Sequence, residues 1–202
     1  MRVGVFGGSF NPVHRGHLAL AEFAFSELNL DHLYFVPSFL NPLKPRKDLL
    51  PAEVRVRLLK KALKGHSGFS VSTCEIDRGG KSYTVDTLKY FHQKSGKQAQ
   101  IYFLTGMDTL KNISLWKSPD RLFKLCRFVV ATRPGYAWEE TKYPVIRMPF
   151  EALRISSSEI RNRLKKHKPV NGLVPGEIVK DLMATAARNN KKETRHRNKE
   201  KA

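Results

Sequence analysis

The stretch "VFGGSFNPVHRGH", residues 5–17, decides how this chain is read. It leaves an apolar run, MRVGVF, that reads as a buried strand. It runs into GHLALAEFAFSEL, where apolar residues recur at helical spacing. Gly7 and Gly8 let backbone come close to a ligand. Ser9 and Asn11 can hydrogen-bond locally, and Pro12 pins the loop. His14 and His17 fall where a helix begins, and free N–H groups and the helix dipole attract anions there. The glycines lack the G-x-G-x-x-G spacing, and no Gly-Lys-Ser/Thr follows. A strand, a glycine pair and a helix opening on two imidazoles together point to a phosphate site. The alternative is a pair of capping or surface histidines.

The same reading extends along the chain. HLYFVP, FSVSTCEI, QIYFLTG, RFVVATRPG and YPVIRMP read as strands. AEVRVRLLKKAL, SYTVDTLKYFHQK, SPDRLFKL, ISSSEIRNRLKK and VPGEIVKDLMATAA read as helices. Asn29 is a stop for the first helix, Ser82 and Ser118 are candidate caps, and Pro51 and Pro119 suit first helical turns. SFLNPLKPRKDLLP, with its prolines and charges, is a loop. Strands alternating with helices predict an α/β fold: a Rossmann-like, doubly wound, mainly parallel sheet flanked by helices, in a single domain. Ligands of such sheets bind outside the carboxyl ends of the strands, where the opening stretch lies.

Bulk properties narrow the function classes. The 202 residues suit one domain with a small appendage. No run of about 18 apolar residues predicts a membrane span, and no signal-peptide segment precedes the first strand. Cys74 and Cys126, without Cys-x-x-Cys spacing, read as buried reduced thiols of a cytoplasmic protein. The net charge is +19, of which seven Lys/Arg against two Glu beyond Ala184 contribute +5, leaving +14 in the body. Such a body suits polyanions: nucleotides, pyrophosphate or nucleic acid. Residues 1–187 are expected to form the domain. Residues 188–202 are expected to be a disordered basic tail, either idle or a weak anchor for a polyanion.

A second motif, ISSSEIR at 155–161, matches a capping box through Ser156 and Glu159. Serines at a helix start followed by Arg161 also suit a triphosphate. With both motifs in view, GGSFNPVHRGH resembles the G-G-(S/T)-F-(D/N)-P-x-H-x-G-H signature of the nucleotidyltransferase superfamily, and ISSSEIR resembles that family's I-S-S-(T/S)-x-(I/V)-R. SYTVDTL (82–88), FLTGMDTLKNISLWKSPDRLF (103–123) and ATRPGY (131–136) are similar to segments of the bacterial nicotinate-mononucleotide adenylyltransferases. The resemblance covers roughly residues 2–183, with gaps. The chain departs from it at Asn41-Pro42-Leu43-Lys44, where the family usually has P-P-H-K, and at Lys117, where it often has Tyr.

The resemblance implies AMP transfer from ATP to nicotinate mononucleotide, giving deamido-NAD and pyrophosphate. It implies catalytic roles for His14, His17 and Arg161. ATP would be held by Gly7, Gly8, Ser9, Phe10, His14, His17, Gly106, Asp108, Ser157, Ser158 and Arg161. The mononucleotide would meet Lys44, Tyr83, Thr84, Trp116 and Lys117, with Trp116 stacking on the pyridine ring and Thr84 meeting its carboxylate. Lys44 would also help Arg161 and Ser157 hold the leaving pyrophosphate. No carboxylate cluster suggests a metal cage, so Mg²⁺ is expected to ride on the ATP phosphates. Two other readings stay open: a related adenylyltransferase acting on nicotinamide mononucleotide or phosphopantetheine, and a basic nucleic-acid-binding protein.

Overall fold

The computed structural model describes residues 1–43, 48–96, 98–110, 112–132, 138, 141–151 and 153–199, with backbone alone at 108 and 189–199. Six strands form one sheet: β1 (Arg2–Gly8), β2 (His32–Pro37), β3 (Phe69–Val71), β4 (Gln100–Gly106), β5 (Arg127–Ala131) and β6 (Val145–Met148). Their order is β3-β2-β1-β4-β5-β6 and every pairing is parallel. This is the doubly wound arrangement expected from the alternating pattern. The order reverses between β1 and β4, so a crevice opens at their carboxyl ends, at Gly8 and Gly106.

Helices cover both faces of the sheet. On one side lie α1 (Arg15–Glu27), α2 (Ala52–Ala62), α7 (Ser157–Lys165) and α8 (Gly176–Lys199). They bury Leu18, Ala21, Leu58, Leu59, Ile160, Ile178 and Leu182 against Phe6, Leu33, Phe35 and Leu104. On the other lie α4 (Thr84–Ser95), α5 (Met107–Leu110) and α6 (Pro119–Leu125). Val85, Leu88, Phe91 and Leu122 pack there against Val5, Val36, Phe103 and Phe128. Neighbouring strand residues therefore feed opposite cores, which is why the strands read as continuous apolar runs. Gly4 has a packing reason: a Cβ there would stand 2.7 Å from Leu30 Cδ1.

Local departures from the sequence reading have identifiable causes. FSVSTCEI is a strand only through Val71; Cys74–Arg78 is a short helix, α3. Thr73 starts it, its carbonyl accepting from Asp77 N–H at 2.8 Å and its hydroxyl donating to Asp77 Oδ2 at 2.7 Å. Such local bonds compete with strand pairing. Ser82 does not cap α4: its Oγ accepts from Phe39 N–H, and Tyr83 takes the cap position. Ser118 and Pro119 do occupy the expected positions of α6, but Ser118 is left-handed and its hydroxyl makes no capping bond. Pro51 precedes α2 as its cap residue rather than opening its first turn. Asn29 follows α1 with φ 44°, the left-handed stop expected of it. Both cysteines are free and half-buried rather than fully buried. Burial raises both thiol pKa values, that of Cys126 to about 12.

The last helix is longer than VPGEIVKDLMATAA: α8 continues to Lys199. Ala184, Ala186 and Ala187 start this extension, and Lys, Arg and Glu follow, all with good helix propensity. The R-P-G turn at 133–135 lies outside the described residues.

Candidate active site

The cavity at the switch point encloses about 510 Å³ and is lined by Gly7, Gly8, Ser9, Phe10, His14, His17, Gly106, Ser157, Ser158 and Arg161, among others. Each segment reaches it for a local reason. Gly7 and Gly8 end β1; Cβ atoms there would meet the rings of Phe103 at 3.3 Å and Phe10 at 3.1 Å. Phe10 is held at φ 44°. Its ring packs against Phe6, Phe35 and His17, and this over-determines the strained backbone.

His14 precedes α1 and is almost completely buried, while His17 sits in the helix's first turn. Their rings stack with centroids 3.6 Å apart and planes 27° from parallel. The His14 backbone N–H donates to His17 Nδ1 at 3.2 Å. Nδ1 therefore accepts, and a neutral His17 carries its proton on Nε2, a donor for an anion. The intervening glycine is closely packed: a Cβ on Gly16 would stand 3.2 Å from His14 Nδ1, and the imidazole would have to shift by a few tenths of an ångström.

The second motif closes over the first. Ser157 Oγ donates to the Pro12 carbonyl at 2.9 Å. Arg161 Nη1 donates to the Asn11 carbonyl at 2.9 Å and Nη2 to Ser158 Oγ at 3.2 Å. Arg161 Nε is buried without a partner. A guanidinium with an unused N–H on a cavity wall is a ready anion donor. Only half of the predicted capping box forms. Ser156 Oγ accepts from Glu159 N–H at 3.1 Å, but the Glu159 carboxylate turns to Arg163 instead. Ser156→Ala should cost about 1 kcal/mol of stability, the usual worth of an N-cap. Urea unfolding checks this, and an unchanged midpoint would show that the cap is idle.

One buried arginine outside the two motifs supports the cavity loop. Arg55 of α2 is 1% exposed. Its Nε donates to the Leu50 carbonyl at 3.0 Å and Nη1 to the Ser9 carbonyl at 2.9 Å. Desolvation lowers its pKa from the usual arginine value. Asn11 supports the same loop, donating to the Asp48 carbonyl and accepting from Leu50 N–H. The signal for Arg55 was in the sequence: Arg55, Leu58, Leu59 and Ala62 share one helical face, and an arginine among buried aliphatics needs polar partners.

The residues expected to meet the mononucleotide gather elsewhere, around the start of α4. Hydrogen bonds tie Ser82 to Phe39 and Leu40, which places Tyr83 and Thr84 by the carboxyl end of β2. Trp116 packs edge-on against Phe103 and Phe128, with centroids 6.1 and 6.2 Å away. Lys117 Nζ lies 4.6 Å from the centre of the Tyr83 ring and 3.1 Å from Asp86 Oδ2. Its charge is thus already paired. None of these four lines the histidine cavity. Lys44 and the Asp108 side chain lie outside the described residues. Leu43, in the histidine position of the resembled motif, is half exposed, and its N–H donates to Asn41 Oδ1.

Donors for phosphate at a doubly wound sheet's switch point define a class, the α/β proteins that grip nucleotide phosphates. The cytidylyltransferase-like family model matches residues 5–163. A relative from Moorella thermoacetica, named a probable nicotinate-nucleotide adenylyltransferase, is 40% identical over 188 residues, spanning 88% of this chain and 87% of its own. A relative of the same name from Clostridium botulinum is 38% identical, spanning 89% and 94%. The solved structure of Plasmodium falciparum nicotinic acid mononucleotide adenylyltransferase complexed with NaAD is similar in fold, with TM-score 0.71 at 22% identity over 89% of this chain and 95% of that one. The chain belongs to the cytidylyltransferase-like family and, within it, to the nicotinate-nucleotide adenylyltransferases.

Proposed function

We propose that this protein transfers AMP from ATP to nicotinate mononucleotide, releasing pyrophosphate and forming deamido-NAD for NAD synthesis. The observation that carries the reading is that the stacked His14–His17 pair and Arg161, whose Nε has no hydrogen-bond partner, line one cavity. A phosphate oxygen of the mononucleotide attacks the α-phosphorus of ATP. The new P–O bond forms as the bond to the bridging oxygen breaks, and pyrophosphate leaves with that electron pair. The nucleophile is already ionised, so no base or covalent enzyme intermediate is needed. Catalysis is positioning plus stabilisation of developing charge.

In this reading His17 Nε2–H and His14 meet the α-phosphate and the bridging oxygen, while Arg161, Ser157 and Ser158 hold the β- and γ-phosphates. Lys44 and Asp108 are proposed to assist, at the pyrophosphate and the adenosine. Arg55 is a positioning residue that fixes the Ser9 carbonyl. The described cavity lining offers hydroxyls, imidazoles and a guanidinium but no carboxylate. Mg²⁺ therefore enters with the substrate, as MgATP.

The Thr84 hydroxyl and the first N–H groups of α4 suit the carboxylate of the pyridine, and Trp116 suits its ring. Lys117 contributes little to that carboxylate, because Asp86 holds it. The acid mononucleotide should exceed the amide by at least about tenfold in kcat/KM, near 1.4 kcal/mol. Thr84→Ala should shrink that ratio. Pyrophosphate release measured with nicotinate mononucleotide, nicotinamide mononucleotide and phosphopantetheine side by side tests the reading; equal rates with acid and amide would refute the nicotinate assignment.

The matched family region ends at residue 163, and the cavity lining ends at Arg161. Deleting residues 188–202 should therefore leave turnover unchanged. A folded deletion variant with reduced kcat would place part of the site in the tail. Among the described residues no helix is long and apolar enough to cross a membrane.

A further inference from the structure

The adenylyl-transfer reading leaves a buried carboxylate without a role. Glu75 of α3 is 6% exposed, and Thr87 of α4 is 1% exposed. A buried carboxylate is costly unless it is hydrogen-bonded. Thr87 Oγ1 lies 2.5 Å from Glu75 Oε1. The same hydroxyl is 3.4 Å from the Tyr83 carbonyl and 3.4 Å from Arg78 Nη2. A hydroxyl has one proton and the short contact takes it, so Thr87 donates to Glu75 and accepts from Arg78. Glu75 also reaches the other half of the site electrostatically. Desolvation lowers the Arg55 pKa, and Glu53 and Glu75 oppose that shift.

The Thr87–Glu75 bond meets α4 where a helix most needs fastening. The first N–H groups of an α-helix have no partner within it, and a side-chain cap usually holds that end. Here Tyr83 stands at the cap position and makes no side-chain capping bond, while the Ser82 hydroxyl is turned to Phe39. Lys117–Asp86 reaches the first turn from outside, but both side chains are partly exposed, and such pairs contribute little. The Thr87–Glu75 bond is buried, where losing one partner costs most. Thr87 follows Thr84 by three residues, so the two share a face of α4, with Thr84 at its very start. What fixes Thr87 therefore fixes the height and rotation of Thr84.

We propose that Glu75 is a positioning residue for the mononucleotide: through Thr87 it holds the first turn of α4, and with it Thr84, in place for the carboxylate of the pyridine. The inference rests on the nicotinate reading above. It makes Glu75 act on the choice of acid over amide, and on the mononucleotide rather than on ATP.

The ratio of kcat/KM for nicotinate mononucleotide to that for nicotinamide mononucleotide, read by pyrophosphate release with the full-length chain beside a thermal melt, tests this. Glu75→Ala and Thr87→Val should each lower the ratio at least about threefold, chiefly through KM for the acid, with KM for ATP changed less than about twofold. Thr87→Val keeps the shape of its side chain and carries the test if the alanine variant does not fold. Thr87→Ser keeps the donor and Glu75→Gln keeps the acceptor, so both should retain most of the ratio. Adding Glu75→Ala to Thr84→Ala should lower the ratio no further, because one residue acts through the other. A lowered melt with an unchanged ratio in the folded variants would overturn the inference and reduce the network to a stabilising contact. Independent losses in the double variant would overturn it too. So would a Glu75→Gln ratio as low as that of Glu75→Ala, since charge rather than the hydrogen bond would then matter. Equal acid and amide rates in the parent would refute the nicotinate reading and the inference together; a parent preference that survives every Glu75 and Thr87 substitution would refute the inference alone.

Discussion

Replacing His17 with alanine is expected to lower kcat by about 10²–10³, the range for losing one preorganised donor to transition-state charge. His17 Nδ1 accepts from the His14 backbone N–H, so a neutral ring carries its proton on Nε2, the nitrogen this reading sets against the phosphate. That donor acts most strongly as charge builds on the transferring phosphate, so KM for ATP should move far less than kcat. The side chain is only partly buried, and its removal leaves Phe6, Phe10 and Phe35 packed together. The thermal melt should therefore stay close to that of the parent. His17→Gln, which restores an N–H donor, should recover part of the rate. Normal turnover in the alanine variant would reduce His17 to a helix-start residue.

Arg161→Ala should cost about 10²–10⁴ in kcat/KM for ATP, because hydrogen bonds to a charged group are worth roughly 1.5–3 kcal/mol each and a guanidinium can make two to a phosphate. Arg161 also ties α7 to the Asn11 carbonyl, so a purely structural effect must be separated. The thermal melt supplies that control: a loss of kcat/KM with the melt unchanged is a loss of the phosphate contact. Ser157→Ala removes a neutral phosphate donor together with the tie to the Pro12 carbonyl while keeping the cation, and its loss of kcat/KM should be at least about tenfold smaller than that of the arginine variant. Arg161→Lys should restore little, since one ammonium cannot reproduce both the Asn11 contact and a planar fork toward phosphate. A loss of kcat/KM in Arg161→Ala that comes with an equally lowered melt would mean that Arg161 acts only by holding the loops together.

Much of the site is legible without coordinates because its parts are short and local. The Gly-Gly loop, the His-x-x-His at a helix start and the serines before Arg161 are each set by backbone geometry within a few residues. The substrate loop was less legible. The chain places a lysine after Trp116, and the sequence gives no sign that Asp86, 31 residues earlier, takes up its charge. The same limit applies to Ser82. As a hydroxyl before an apolar run it looks like a cap, yet a backbone N–H from the β2 loop reaches it first.

By itself the sequence determined the order and type of most elements, the two motifs that come to line the cavity and the layered α/β class. These follow from hydrophobic period, turn chemistry and helix-start residues, all of which act over one or two turns of chain. Tertiary structure alone decided the contacts that need two distant segments at once. It seated Arg55 beneath Ser9, closed Arg161 and Ser157 over the Asn11–Pro12 backbone, and paired Asp181 of α8 with Lys61 of α2. Periodicity says which residues share a face of an element; only packing says what that face meets, because partner choice depends on how the whole sheet twists and which helices cover it.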